Sequence, residues 1–510
     1  MAFSGRLFGG LSLLLVMLSL AQAVRQFHVL RQRLLQQQEE HNWEKFNSRK
    51  LKPGMAQPEL DSIMGGNIRQ PLDHFNKQNR ITFNQRYYIN SDFFRPGNPV
   101  FLYIGGEGEL SGFVAIMGHH VNLAEQYGAL LVALEHRFYG SSLNPDMLED
   151  RNLPYLNSQQ ALSDLVSFQQ FITQKYKLTQ NNTWICFGGS YPGSLAAWFR
   201  LKFPHLVFGA IASSAPVRAQ VDFSGYEKVV AESLSNPVIG GSKQCLDAVA
   251  EGFAAVEKLV LAGQLQKLEK DFQSCTHVQG HSDSIELLSN MADVLMFIVQ
   301  YNNEGENMAN VNSLCKTMTD PNIGSAYERL TVANLKALKS IGLPCVHSSH
   351  TEFIQLLRDT KVTKDSFMRP WIFQTCTEFG YFMTCEDPIC PFSKLVDLKF
   401  QMDVCKEAFN ISSRSAQDAV SFTNEYYGAD HPKATRVLFV NGDVDPWHSL
   451  SVLEDQSSSE RAILINGTAH CADMNMPSNT DPLPLVEARK KINAQVGEWL
   501  KLAKEMQQDS

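Results

Sequence analysis

From Val100 onward the chain alternates short, continuous apolar runs with amphipathic stretches. "NPVFLYIGGEGE" reads as a strand over Val100 to Ile104 that runs into a glycine turn, and "GALLVALEHRFYG" as a second strand ending in polar residues. Runs that are apolar at every position, not at alternate ones, suit parallel strands covered on both faces. Residues 113–127 between them are helical in character. In "NSQQALSDLVSFQQFITQKYKL", Leu162, Leu165, Phe168 and Ile172 recur on one helical face, with Ser158 as the expected cap. "TWICF" predicts a strand, "SLAAWFRLKF" a helix stopped by Pro204, and "VFGAIASSAPV" another strand. Alternation of this kind implies right-handed crossovers and a doubly wound, mostly parallel sheet.

The alternation stops near residue 218. From there to about 425 the pattern is mostly helical ("CLDAVAEGFAAVEKLVLAG", "SIELLSNMADVLMFIVQYN"). It resumes with "ATRVLFVNGDVDPW" and "RAILINGTAHCADM". A final helix over 482–505 carries Leu485, Ile492, Val496 and Trp499 as an apolar stripe, which reads as core. The chain is therefore expected to fold as an α/β domain in two parts, 67–217 and 426–510, around a helical insertion at 218–425.

The first residues, "MAFSGRLFGGLSLLLVMLSLAQA", pair a basic flank at Arg6 with a short apolar run and a small-x-small site at Ala21-Gln22-Ala23. This pattern predicts a signal peptide over 1–23, because the run is shorter than the ~20 residues a spanning helix needs. No later stretch predicts a membrane span. Residues 24–66 are polar and rich in Gln and Arg, an N-terminal arm or propeptide where no chemistry is expected.

Composition narrows the class. The chain has 510 residues, 44% hydrophobic and 19% charged, with a net charge of −8 and no basic stripe, which makes nucleic acid an unlikely partner. Ten cysteines suit an oxidising compartment. None precedes Cys186, and six fall between Cys275 and Cys390, so disulfides are expected to staple the inserted region. No Cys-x-x-Cys pair occurs to partner the one His-x-x-x-His, His277 and His281, and no metal is expected. Sequons at Asn181, Asn410 and Asn466 are candidate glycosylation sites.

The candidate chemistry centres on "CFGGSYPGSLAAW". Ser190 follows a strand, precedes a helix and is flanked by small residues, the context of a nucleophile elbow. A serine hydroxyl needs a base and an oxyanion site. The order nucleophile, acid, base on one sheet edge leaves two of fourteen histidines, His448 and His470. His470 is favoured because it lies on a separate loop from the acid. Asp443 and Asp445 both leave the strand ending near Asn441, and either could orient the imidazole. The expected oxyanion donors are the N–H of Tyr191 and one from the Gly105-Gly106-Glu107 turn, with Gly106 favoured. Glu107 is a candidate for a substrate amine or for stabilising its turn. His119-His120 reads as a helix-surface pair, His136 as a satisfied structural histidine, and Cys471 as a disulfide or inert thiol.

Seven blocks carry a resemblance: "QPLDHF", "TFNQRYY", "FLYIGGEGE", "EHRFYGSS", "GGSYPG", "NGDVDPW" and "GTAHCADM". From about residue 67 the chain resembles the serine peptidase family of lysosomal Pro-Xaa carboxypeptidase and dipeptidyl peptidase II. The resemblance implies an α/β-hydrolase fold with a helical, disulfide-bonded cap. It places the acid on Asp445, the base on His470 and the nucleophile on Ser190. It implies peptide substrates cut by an exopeptidase with proline on the acyl side, no cofactor, an endosomal, lysosomal or secreted location, and room for a homodimer. One departure stands out: Pro192 replaces the family's glycine two residues after the serine. A proline there restricts Tyr191, so the elbow is expected to survive with altered geometry; a weak or inactive peptide-binding protein is one rival reading, and an esterase on the same fold is the other.

Overall fold

The centre of the sheet is built from strands whose apolar runs leave no exposed face. In the computed structural model, which describes residues 30, 31, 33, 34, 37, 63–304, 308–363 and 366–508, eight strands make one sheet. They are β1 (Ile63–Pro71), β2 (Thr82–Asn90), β3 (Val100–Ile104), β4 (Leu130–Leu134), β5 (Trp184–Gly189), β6 (Gly209–Ser213), β9 (Val437–Gly442) and β10 (Glu460–Ile465), in the order β1-β2-β4-β3-β5-β6-β9-β10. A separate parallel pair joins β7 (Gln220–Asp222) to β8 (Gly380–Phe382). Strands β3 to β6, β9 and β10 pair in parallel. β1 and β2 form an antiparallel lead-in. In β2, buried residues alternate with less buried ones, as on a sheet with one solvated face, whereas β4 is buried at every position. The expected leader over 1–23 lies outside the described residues, as does most of the expected arm.

Helices cover both faces. On one side lie α2 (Ser158–Tyr176) and α3 (Tyr191–Lys202), whose Phe168, Ile172 and Trp198 are fully buried. On the other lie α1 (His119–Tyr127) and α14 (Leu483–Gln508), whose expected stripe of Leu485, Ile492, Val496 and Trp499 packs into the core. The sheet order reverses between β3 and β5, so the loops after these strands diverge and leave a crevice at their carboxyl ends. This is an α/β-hydrolase fold, and β5 delivers Ser190 to that crevice.

Between β6 and β9 the chain builds the cap. Its helices are α4 (Gly225–Ser235), α5 (Lys243–Leu261), α6 (Leu265–Asp271), α7 (Gly280–Gln300), α8 (Val311–Met318), α9 (Ala326–Ser340), α10 (His350–Arg358), α11 (Met368–Gln374), α12 (Leu398–Phe409) and α13 (Ser413–Tyr427). Disulfides Cys245–Cys315, Cys275–Cys345, Cys376–Cys405 and Cys385–Cys390 all fall inside it. Cys186 and Cys471, both outside it, are free. No helix among the described residues is long and apolar enough to cross a membrane.

Two local expectations are corrected. The cap of α2 is Asn157, whose side chain accepts from the Gln160 N–H, and not Ser158. Ser158 instead donates its Oγ–H to the buried Glu378 carboxylate and accepts from Tyr427 Oη, tying the core to the cap. His119 and His120 are not a surface pair, each being about 5% exposed. His119 Nε2 meets Asn493 Oδ1 at 2.7 Å and His120 Nε2 meets the Val114 carbonyl at 2.6 Å. Burial pushes both imidazoles down to about 4, so they are neutral structural groups.

The Cys245–Cys315 bridge closes a 70-residue separation and anchors α5 to α8. By chain entropy it contributes about 4 kcal/mol. The Cys245→Ala/Cys315→Ala variant is expected to lower the melting temperature of the cap, read by calorimetry. An unchanged melt would show the cap to be held by packing alone.

Candidate active site

Ser190 sits at φ 65°, ψ −137°, a backbone conformation costly for a residue with a side chain. Its neighbours explain how the turn is held. A Cβ on Gly188 would lie 2.1 Å from the Pro192 carbonyl oxygen, and one on Gly193 would lie 2.7 Å from the Ser213 carbonyl oxygen. The Ser190 N–H donates to that same Ser213 carbonyl. Only glycines let strand and helix approach this closely. The hydroxyl is thereby lifted above the sheet into a cavity walled by core and cap.

Tyr191 is the first residue of α3, so its N–H lies outside the helical ladder. Its side chain is fixed deep in the core: the phenol donates to His136 Nε2 at 3.0 Å and accepts from Gln374 Nε2 at 3.1 Å. His136 Nδ1–H in turn meets the Arg137 carbonyl, and burial pushes His136 down to about 4. The expected structural histidine therefore holds the residue that follows Ser190 and lines the same cavity. Pro192 falls in the first turn of α3, where its missing donor leaves no bond unmade. The space for its ring comes from Gly106, where a Cβ would lie 2.3 Å from Pro192 Cγ.

The acid and the base reach this edge on two loops clamped together. After β9 the Val444 N–H donates to the Thr468 carbonyl, and Asp443 accepts from the Gly467 N–H and from Asn466 Nδ2. Asp443 is thus the turn residue. Asp445, fully buried, places Oδ1 at 2.9 Å from His470 Nδ1 and accepts the Trp447 N–H. Burial opposes the charged imidazolium, but the Asp445 carboxylate outweighs it and holds His470 well above the usual histidine range. The His470 N–H donates to the Gln300 carbonyl at the end of α7, and the ring packs edge-on against Tyr301. His448 stands on the acid's own loop, inside the short helix Pro446–Leu450.

Ser190 lines the cavity, while His470 is held by the Gln300 carbonyl and packs on Tyr301, both cavity residues, and no hydrogen bond joins Ser190 Oγ to the imidazole. Nucleophile–base contacts are commonly loose before substrate binds. The Cys471 thiol lies beside both: it touches the His470 imidazole, and a Cβ on Gly189 would fall 2.9 Å from its sulfur. Burial pushes this thiol up, which keeps it protonated and inert.

Two further residues were not legible as site residues. Arg31, from the polar stretch where no chemistry was expected, lines the same cavity and pairs with Glu107 at 2.8 Å. Glu107 thus already holds a guanidinium. Gln300 Oε1 accepts from both Tyr226 Oη and Trp447 Nε1, fastening the cap to the acid's loop. No cluster of His, Cys, Asp and Glu suited to a metal occurs among the described residues.

Comparison with known proteins gives the family. The profile of the serine carboxypeptidase S28 family matches residues 70–492. Thymus-specific serine protease of Mus musculus is 44% identical over 451 residues, covering 87% of this chain and 88% of that protein. The protein of the same name from Homo sapiens is 42% identical, again over 87% and 88%. Lysosomal Pro-X carboxypeptidase of Homo sapiens is 27% identical, over 85% of this chain and 88% of that one.

The contact between Gly106 and Pro192 makes a specific prediction. Gly106→Ala should slow covalent labelling of Ser190 by a fluorophosphonate by about 10²-fold, the scale of a misplaced oxyanion donor. Adding Pro192→Gly should restore much of the rate. Labelling in Gly106→Ala at the parental rate would mean that this turn does not shape the elbow.

Proposed function

The chain belongs to the serine carboxypeptidase S28 family and is a serine peptidase, and from that premise we propose that Ser190, His470 and Asp445 form its catalytic triad. The observation that carries the proposal is the buried Asp445–His470 pair, held against Gln300 and Tyr301 of the cavity that Ser190 lines. Ser190 Oγ attacks the scissile carbonyl while His470 Nε2 takes its proton. Asp445 holds the Nδ1–H tautomer and stabilises the imidazolium. The Tyr191 N–H and an N–H of the Gly106 turn receive the oxyanion. His470 then protonates the leaving amine, and water, deprotonated by the same imidazole, releases the acyl group and restores the serine.

The reaction is that of an exopeptidase acting on peptides. The cavity lies between core and cap, with walls from α7, α11 and the residues around β8, a setting suited to a chain end and not to a folded surface. Tyr381, Phe382 and Trp447 supply apolar faces suited to a proline ring on the acyl side. Asn181, Asn410 and Asn466 are all exposed, and with the four disulfides they support a glycosylated protein of the endosomal, lysosomal or secreted compartment. Pro192, seated on Gly106, is compatible with turnover.

Replacing Ser190 by Ala should cut peptide hydrolysis by ~10⁶ with the fold intact, since such triads act as a unit. Retained hydrolysis would remove Ser190 from its role.

The pH profile follows from His470. Below its raised pKa the imidazole is protonated and cannot accept the serine proton. kcat/KM should therefore rise with pH along a limb lying above the ordinary histidine value of ~6.5. In Asp445→Asn the carboxylate is gone, and burial is opposed only through Cys471. The limb should move to lower pH while kcat falls by about 10⁴. A limb that stays in place in this variant would separate Asp445 from the base.

A further inference from the structure

The cavity that holds Ser190 carries a second charged feature, away from the acid and base. Helix α7 turns one face toward it, placing Ser289, Ala292, Asp293, Met296 and Gln300 along the wall. Opposite, from the first turn of α4, Glu227 lines the same space. Glu227 is 4% exposed, and its Oε2 has no hydrogen-bond partner among the described residues. Asp293 is 8% exposed. The charges acting on Glu227 are those of Asp293 and Asp222, both negative. Burial, reinforced by Asp293, pushes the Glu227 carboxyl well up. A buried carboxylate oxygen without a hydrogen bond, acted on only by negative charges, is unfavourable unless something positive is delivered to it.

We propose that Glu227 and Asp293 form a cation subsite that receives a positively charged group of the peptide substrate. This deepens the peptidase reading and rests on it. The same cavity already accommodates a guanidinium at its other acid, where Arg31 sits on Glu107. Aromatic walls from Tyr381 and Trp447 would favour the cation further.

Helix α7 supplies a ruler. Its end, Gln300, accepts the His470 N–H, and Asp293 lies seven residues back. At 1.5 Å per residue Asp293 lies about 10 Å along the helix from the point that holds the His470 backbone, roughly three residues of extended chain. Two sources fit that span: the α-ammonium of a chain beginning about three residues away, or a Lys or Arg side chain on a nearer residue.

The test is a binding experiment with the Ser190→Ala protein, so that it does not depend on turnover. One peptide series exchanges Lys for norleucine at each position within three residues of the scissile bond, and a second compares a free with an acetylated N-terminus. The cation should strengthen binding by about 10- to 100-fold at one position or at the terminus, the scale of a charge-assisted bond in a buried site. The two series distinguish side chain from α-ammonium. Glu227→Gln, and separately Asp293→Asn, should reduce that ratio to within about threefold. Folding of each variant is checked by its melt, and the second variant carries the test where the first is unstable. Equal affinity for charged and neutral peptides, or a preference that survives both substitutions, overturns the subsite. Failure of the peptidase reading shows separately, as absence of fluorophosphonate labelling in the Ser190 protein, and leaves this binding result intact.

Discussion

A carboxylate with no access to water sets the terms for this site. Asp445 is fully buried, with the His470 imidazole on Oδ1 and no hydrogen bond to Oδ2 among the described residues. A buried charge is tolerated when a partner can share it. Here the partner can take up a proton at the moment a hydroxyl gives one away. Everything that fixes the imidazole against Asp445 therefore also serves its proposed role as a base. Asp443 does so by clamping its loop to Gly467, and Gln300 by holding the His470 backbone.

The cap takes part in this arrangement. Gln300 binds the backbone of the histidine loop through its carbonyl and Trp447 through its side chain. Gln374 binds the Tyr191 phenol, while Glu378, pushed up to about 7 by burial, takes hydrogen bonds from Ser158 at the start of α2. The strained Ser190 turn and the histidine loop are thus both held from outside the sheet. Preorganisation of this kind requires residues distant in sequence to arrive together, which makes the disulfides of the cap relevant to the site as well as to stability. The same cap helices bring Glu227 and Asp293 to the cavity, so the scaffold that orients the chemistry also sets the charge the substrate meets.

Much of this was legible in the residues. The parallel strands announced themselves because strands covered on both faces are apolar throughout, as in Leu130–Leu134. The antiparallel β1 and β2 did not, since their half-exposed residues dilute the pattern. Chain order alone reduced fourteen histidines to two, whereas the choice between Asp443 and Asp445 turns on hydrogen bonds three residues wide. His119 was misplaced at the surface because its cover, Asn493, lies 374 residues away. Arg31 and Glu227 were silent for the same reason: only the folded cap and core make them neighbours of Ser190. Pro192 was expected to leave the elbow standing with altered geometry, and the glycine that accommodates it stands on a different loop.

The central claim is that three separate loops deliver an alcohol, an imidazole and a carboxylate to one rim. The structure of the protein after reaction with a small phosphonate tests it most directly. Phosphorus on Ser190 Oγ is predicted, with its oxygen on the Tyr191 N–H and the Gly106 turn, and His470 between the adduct and Asp445. An adduct on Cys471 or elsewhere, or an imidazole turned away from the phosphonylated serine, would contradict the account.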